Sequence, residues 1–237
     1  EVDGLDGKII EWSQPEVFLY LDDTYVRMSY PDLIEDNGEI WISETDKDKA
    51  RTHIVPPEFA AALWNRTPAT ETVKKNLILE LDGATTLPES FAAPALPEFT
   101  ARDVSLAYQG MKLLRTGFSI DFTCQLDSLE AGRVLLDTRT STDQGLACII
   151  TDRGAIEIIL NDGRTENRWD CDAGTISAGQ KHHITAIIDG GPHVISFVVD
   201  GKLCDGGEHR QYGWGRFTKD LRDAHGSDTL NIGPGIT

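Results

Sequence analysis

The 237-residue sequence predicts an all-β protein whose larger part is an antiparallel β-sandwich. Three observations predict it. Between Lys181 and Phe217 two β-branched apolar runs, HITAII and HVISFVV, flank Asp189-Gly190-Gly191-Pro192, and the second ends at Asp200-Gly201, as antiparallel strands joined by tight turns do. Upstream, GFSIDFTCQL, GRVLLDTR, GLACIITD and AIEIILND follow one another at the regular spacing of a sandwich, each bounded by Gly, Asp or Ser. Near the start, Asn37-Gly38 separates two patterned runs, the strongest short-range hairpin signal.

Residues 1–55 read as β throughout, with candidate strands in VFLYL, YVRMSYPDLIED, EIWISET and ARTHIVP. Together they predict a four-stranded sheet, the size of one propeller blade. From Pro56 the pattern changes: Pro57 suits a first helical turn and Phe59, Leu63 and Trp64 lie at helical spacing, so a short helix is expected over 57–65. A polar linker follows, which divides the chain into a first part, 1–66, and a second, 76–237. The second part is expected to open with an alternating strand, Asn76–Leu81, and to continue through a Pro-rich extended loop, LPESFAAPALPEF. After the four sandwich strands, GRTENRWDCDAG reads as a polar loop carrying one large aromatic residue. The central hairpin leads into an aromatic, Gly-rich loop around Tyr212 and Trp214, then a charged loop from Thr218 to Asp228, and a last strand beginning at Thr229.

Composition narrows the function. Hydrophobic residues make up 40% of the chain, enough for a real core, while 22 basic against 39 acidic residues leave a net charge of −17. Such a surface repels nucleic acid and anionic lipid, so neither is an expected partner. No apolar run approaches the roughly 20 residues that cross a bilayer, which argues against a membrane span. The opening EVDGLDGK is unlike a signal peptide and reads as the middle of a domain. The four cysteines form no CxxC pair and suggest no zinc site. Cys124 is in phase with Phe118, Ile120 and Phe122, and Cys148 with Leu146 and Ile150, so both are expected as small core residues. Cys171 and Cys204 sit in polar, loop-like contexts, WDCDAG and LCDGG, and are the better disulfide candidates if the protein is extracellular. Asn65-Arg66-Thr67 is a glycosylation sequon that fits an exposed linker.

With His182-His183, Asp189-Gly190 and Asp200-Gly201 in place, the central stretch resembles the concanavalin A-like or laminin G-like jelly rolls. That resemblance implies carbohydrate as a partner. Members of this kind usually add a closing strand after an "L-x-I-G" such as Leu230–Gly233, so an open sheet edge is expected here. The first 55 residues resemble the last blade of a sialidase-like β-propeller, through the segments beginning Trp12-Ser13-Gln14-Pro15 and running from Ser29 to Thr45. A blade packs between neighbours, so this second resemblance implies the rest of a parent propeller, or a second chain, as a further partner, and a secreted, glycosidase-like parent protein.

Candidate site residues follow. His182-His183 begins a strand where one ring faces the core and the other solvent, and structure is the preferred role. Asp189, Asp200 and Asp205 are explained by turns, although an oxygen-only calcium site can draw on two such loops. No other cofactor and no other metal is expected. Sugar recognition needs a flat apolar face and planar polar groups, and Trp169, Tyr212 and Trp214 with Arg164, Arg168, Asp170 and Arg216 supply both types in loops. The alternative is that Trp169 and Trp214 plug the ends of the core. In the first part Arg27, Tyr30, Asp32 and Glu44 draw notice, because sialidases attack with a tyrosine activated by a glutamate. The resemblance implies catalytic roles for Tyr30, Asp32 and Glu44 only if the propeller is completed, since no arginine triad can be assembled from 55 residues. A carbohydrate-binding or accessory module is therefore preferred over a propeller glycosidase and over a purely structural brace.

Overall fold

The structure, a computed structural model, describes residues 2–4, 7–9, 18–19, 28–64, 74, 76–81, 87–96, 117–190, 193–207, 210–218 and 220–236. The chain divides into two units. One comprises Glu1–Phe18, Thr72–Ala101 and Leu113–Thr237, the other Leu19–Glu71 and Arg102–Lys112. The larger unit begins with a short hairpin, β1 (Val2–Gly4) paired with β2 (Gly7–Ile9).

In the smaller unit, β3 (Ser29–Asp36), β4 (Glu39–Asp46) and β5 (Lys49–Ile54) form an antiparallel sheet in chain order. Asn37 and Gly38 take φ of 51° and 82° between the paired residues Asp36 and Glu39, the doubly left-handed geometry of a two-residue hairpin turn. The described residues give three strands where four are expected. Of the expected first strand only Phe18 and Leu19 lie within the described residues, and neither is in a strand. The helix is present as α1 (Pro57–Trp64), packed on β4 and started by Pro57, with Ala60 donating to the Pro56 carbonyl. Arg27, the Trp12 segment and the sequon at Asn65 lie outside the described residues.

The larger unit is an antiparallel sandwich of jelly-roll type. Its strands are β6 (Ser90–Ala92), β7 (Gly117–Gln125), β8 (Val134–Asp137), β9 (Gly145–Ile150), β10 (Ile156–Asn161), β11 (Glu166–Asp170), β12 (Lys181–Asp189), β13 (Val194–Val199), β14 (Lys202–Leu203), β15 (Trp214–Arg216) and β16 (Thr229–Ile232). One sheet runs β11-β10-β9-β8-β16-β6; the other runs β14-β13-β12-β7, with β15 also paired to β13. Every second side chain of β12 is buried, and Ile184, Ala186 and Ile188 meet Ile195, Phe197 and Val199 of β13 in one core with Cys148, Ile156, Ile158 and Leu160 of the facing sheet. Near the chain end, Gln125 donates to the Gly235 carbonyl and Cys124 bridges Ile236, so the edge of β7 is paired there.

Three local expectations are corrected. Asn76–Leu81 forms no strand: Asn76 takes a φ of 63° in a turn, and Leu77 and Ile78 stay exposed without a ladder partner among the described residues. The segment GRTENRWDCDAG is not a loop, because Glu166–Asp170 pairs residue by residue with Glu157–Asn161. Cys171 and Cys204 are as buried as Cys124 and Cys148, and all four are free thiols. Only the loop setting is overturned: the chain turns inward at Cys171 between two acidic neighbours, which pair with Arg210.

The central hairpin is pinned by Asp200. One carboxylate oxygen accepts the His183 N–H at 2.8 Å and the other lies 2.7 Å from His182 Nδ1. His182 Nε2 accepts the Ser177 N–H at 3.0 Å, which leaves Nδ1 facing the Asp200 carboxylate. His183 is the exposed partner and bonds Asp121 at 2.9 Å. Burial pushes the Asp200 carboxyl up, but the His183 N–H and the His182 ring outweigh it and hold the group below its ordinary 3.8. Asp200 therefore stabilises the fold above that ordinary value, and the contribution disappears as pH falls through the lowered one. Thermal midpoints measured from pH 6 to pH 2 should show Asp200→Asn destabilised near neutrality, with the gap to the parent closing below about pH 4.

Candidate functional site

β11 lies near β13 and β15, and Arg210, between β14 and β15, reaches back to the end of β11. Arg210 organises this end. Its guanidinium donates to the backbone carbonyls of Asp170 at 3.1 Å and Cys171 at 2.9 Å, and it pairs with the carboxylates of Asp170 at 3.1 Å and Asp172 at 3.7 Å. The same group lies over the Trp169 ring, 4.4 Å from its centroid. Asp172 also accepts the Gly206 N–H at 3.0 Å, fixing the start of the loop that Arg210 ends.

Trp169 belongs to this scaffold. Its Nε1 donates to the Gly213 carbonyl at 3.4 Å, the ring packs on the core, and Gly215 on β15 lies so close that any Cβ there would overlap it. Glycine at 215 is thus a packing requirement set by an indole 46 positions away in the chain.

Tyr212 and Trp214 stand differently. Their rings pair with centroids 4.6 Å apart and planes tilted by 37°, and Tyr212 is half exposed. They line a cavity of about 520 Å³ with Ser196, Leu203, Cys204, Asp205, Gly207, Arg210, Gln211 and Gly213. Trp214 sits opposite Ser196 in the β13–β15 register, so the sheet fixes the inner ring while the loop carries the outer one. The cavity is lined by two aromatic rings and by polar side chains, a composition suited to a small polar ligand with an apolar face.

Of the sequence candidates, Tyr212 and Trp214 line the cavity and Trp169 and Asp170 support it. Arg164, Arg168 and Arg216 do not line it. Arg164 lies 3.7 Å from the Asp162 carboxylate, and Arg168 points from β11 to Glu166 at 2.6 Å and Glu157 at 3.2 Å. Strand alternation on β11 turns Arg168 to the face opposite Trp169, while Arg164 precedes the strand in a bend. Arg210, Gln211 and Ser196 are the residues that sequence reading missed, and Asp205, expected as a turn residue, lines the cavity as well. Arg210 gave little local signal, because its partners flank Cys171 some 39 positions earlier.

In the smaller unit Tyr30 is 84% exposed, with a φ of 53° at an irregularity of β3, and Asp32 is exposed. Glu44 is buried, and its Oε1 takes Arg51 at 2.6 Å and His53 at 3.4 Å. The Arg51 hydrogen bond holds the Glu44 carboxyl below its ordinary value despite burial. No hydrogen bond joins Tyr30 to Glu44 among the described residues. No group of three or more His, Cys, Asp or Glu side chains is gathered for a metal among them either. Asp200 is spent on the two histidines, and Asp205 accepts the Gly207 N–H at 3.0 Å.

No protein-family model matches the chain, and no curated protein matches it. Solved structures with a similar course include the native heptameric SAP-like pentraxin from Limulus polyphemus, with 13% identity, a TM-score of 0.36 and coverage of 50% of this chain and 52% of that one. The CBM40 domain of the Ruminococcus gnavus IT-sialidase bound to α2,3-sialyllactose gives 17% identity, a TM-score of 0.38 and coverage of 62% and 84%. Its α2,6-sialyllactose complex gives 18%, 0.38, 61% and 79%.

Arg210→Ala should cost about 2–3 kcal/mol in urea unfolding, since it strips a buried carboxylate and two carbonyls of a charged donor. Arg168→Ala, an exposed pair, should cost no more than about 0.5 kcal/mol. Trp169→Ala should cost about 3 kcal/mol by the same measurement, as removal of a core-packed indole does.

Proposed function

We propose that the sandwich is a carbohydrate-binding module whose site is the cavity walled by Tyr212 and Trp214. The paired rings of these residues carry the reading, because a pyranose offers a C–H face to an aromatic surface and hydroxyls to its surroundings. Asp205, Gln211 and Ser196 are placed to meet those hydroxyls, and the supported strands behind them keep the rings in position. Arg210 lines the cavity but spends its charge on Asp170 and Asp172, so the ligand it suits is a neutral sugar and not an anionic one. The acidic balance of the chain favours the same choice.

The smaller unit fits an accessory or scaffolding part of a secreted, sialidase-like parent. Support comes from its exposed apolar side chains, Met28, Leu33, Ile34 and Ile54, which a blade packed between neighbours would cover. A catalytic role for Tyr30, Asp32 and Glu44 is less well supported, since Glu44 is already committed to Arg51 and His53.

A glycan array probed with the intact chain should return neutral glycans in preference to sialylated ones. Tyr212→Ala should lower affinity for the best neutral ligand at least about tenfold while leaving the thermal midpoint within a degree or so, in line with loss of one exposed stacking ring. Retention of full affinity by both Tyr212→Ala and Trp214→Ala, or a preference for sialylated ligands, would place the site elsewhere.

A further inference from the structure

Cys171 follows β11 in one sheet and Cys204 follows β14 in the other. The Cys204 thiol hydrogen-bonds the Cys171 sulfur. That sulfur also accepts the Ile156 N–H at 3.2 Å and the Thr175 hydroxyl at 3.7 Å, so three donors converge on it. The backbone is held on both sides of the contact: Arg210 grips the Cys171 carbonyl, and the Asp172 carboxylate grips Gly206. Cys204 lines the cavity, which gives a small oxidant a route to an otherwise buried pair.

We propose that Cys171 and Cys204 are a modification site, a dithiol that closes to a disulfide across the two sheets and fixes the loop walling the cavity. The oxidant required is a low-molecular-weight disulfide. Exchange joins the two protein sulfurs, splits the S–S bond of the oxidant, and moves two electrons and two protons to it, releasing two small thiols. The donors around Cys171 favour its thiolate and lower its pKa, while Cys204, as the donor, is raised. Cys204, the sulfur that lines the cavity, forms the mixed disulfide with the oxidant, its proton passing to the small thiolate that leaves; the Cys171 thiolate then attacks the Cys204 sulfur, closes the bond and expels the second small thiol. Cys124 and Cys148 lie nearby in the core, but burial pushes Cys124 up to about 11 and Cys148 well above its ordinary value, which leaves them as inert thiols.

The proposal is independent of what the cavity binds. Its test is to incubate the intact chain with excess glutathione disulfide, alkylate under acid-quenched denaturing conditions, digest, and map the peptides by mass spectrometry. The expected map has one Cys171–Cys204 bond and alkylated Cys124 and Cys148. A bond closing this span should raise the thermal midpoint by roughly 10 °C over the dithiothreitol-reduced protein. Cys204→Ala should abolish that redox-dependent difference, and Cys148→Ala should keep it. Four alkylated thiols after oxidation, a bond involving Cys124 or Cys148, or an unchanged midpoint despite the bond would each overturn the proposal; the mapping uses the unsubstituted chain and so does not depend on any variant folding.

Discussion

Burial of alternate side chains between two sheets is the constraint from which the larger unit follows. In β12 the inward positions are His182, Ile184, Ala186 and Ile188, and the one polar member is admitted only because Ser177 and Asp200 satisfy both of its ring nitrogens. In β13 the inward residues are met across the core by cysteines and isoleucines of the other sheet. A one-residue slip would turn this set to solvent, so the register of the hairpin and the composition of the core are the same requirement.

The end of β11 faces a different demand. There the chain leaves the ladders, and the carbonyls of Asp170 and Cys171 and the carboxylates of Asp170 and Asp172 need donors where little water reaches. Arg210 answers most of them with one planar group and rests its face on Trp169. The Tyr212 ring, half exposed and paired with Trp214, lies outside this network. The network also removes the charge of Arg210 from any ligand, so the rigidity of the pocket and its proposed preference for a neutral sugar have one origin.

The smaller unit shows how strand pairing assigns work to residues that look catalytic. Glu44 lies opposite Arg51 in the β4–β5 ladder, and cross-strand neighbours of opposite charge pair whether or not a substrate is present. Tyr30, on the irregular stretch of β3, is turned to solvent.

What the sequence determined by itself is what local patterning controls. The hairpin at Asn37-Gly38, the strand–turn–strand unit ending at Asp200-Gly201, helix α1 and the core roles of Cys124 and Cys148 were legible because period-2 alternation and left-handed turn residues act within a few positions. The same rules located Tyr212 and Trp214 as notable aromatics but could not say which rings would remain free. Tertiary structure decided that Trp169 is held by Arg210 and Gly215, that Arg164 and Arg168 serve surface ion pairs, and that Cys171 and Cys204 are buried together. The packing of Trp169 and the meeting of Cys171 with Cys204 rest on partners about 30 to 50 positions away, and the role of Arg168 on the face of a strand whose polar composition hid its alternation; long-range pairing of this kind leaves no periodicity in the sequence to read.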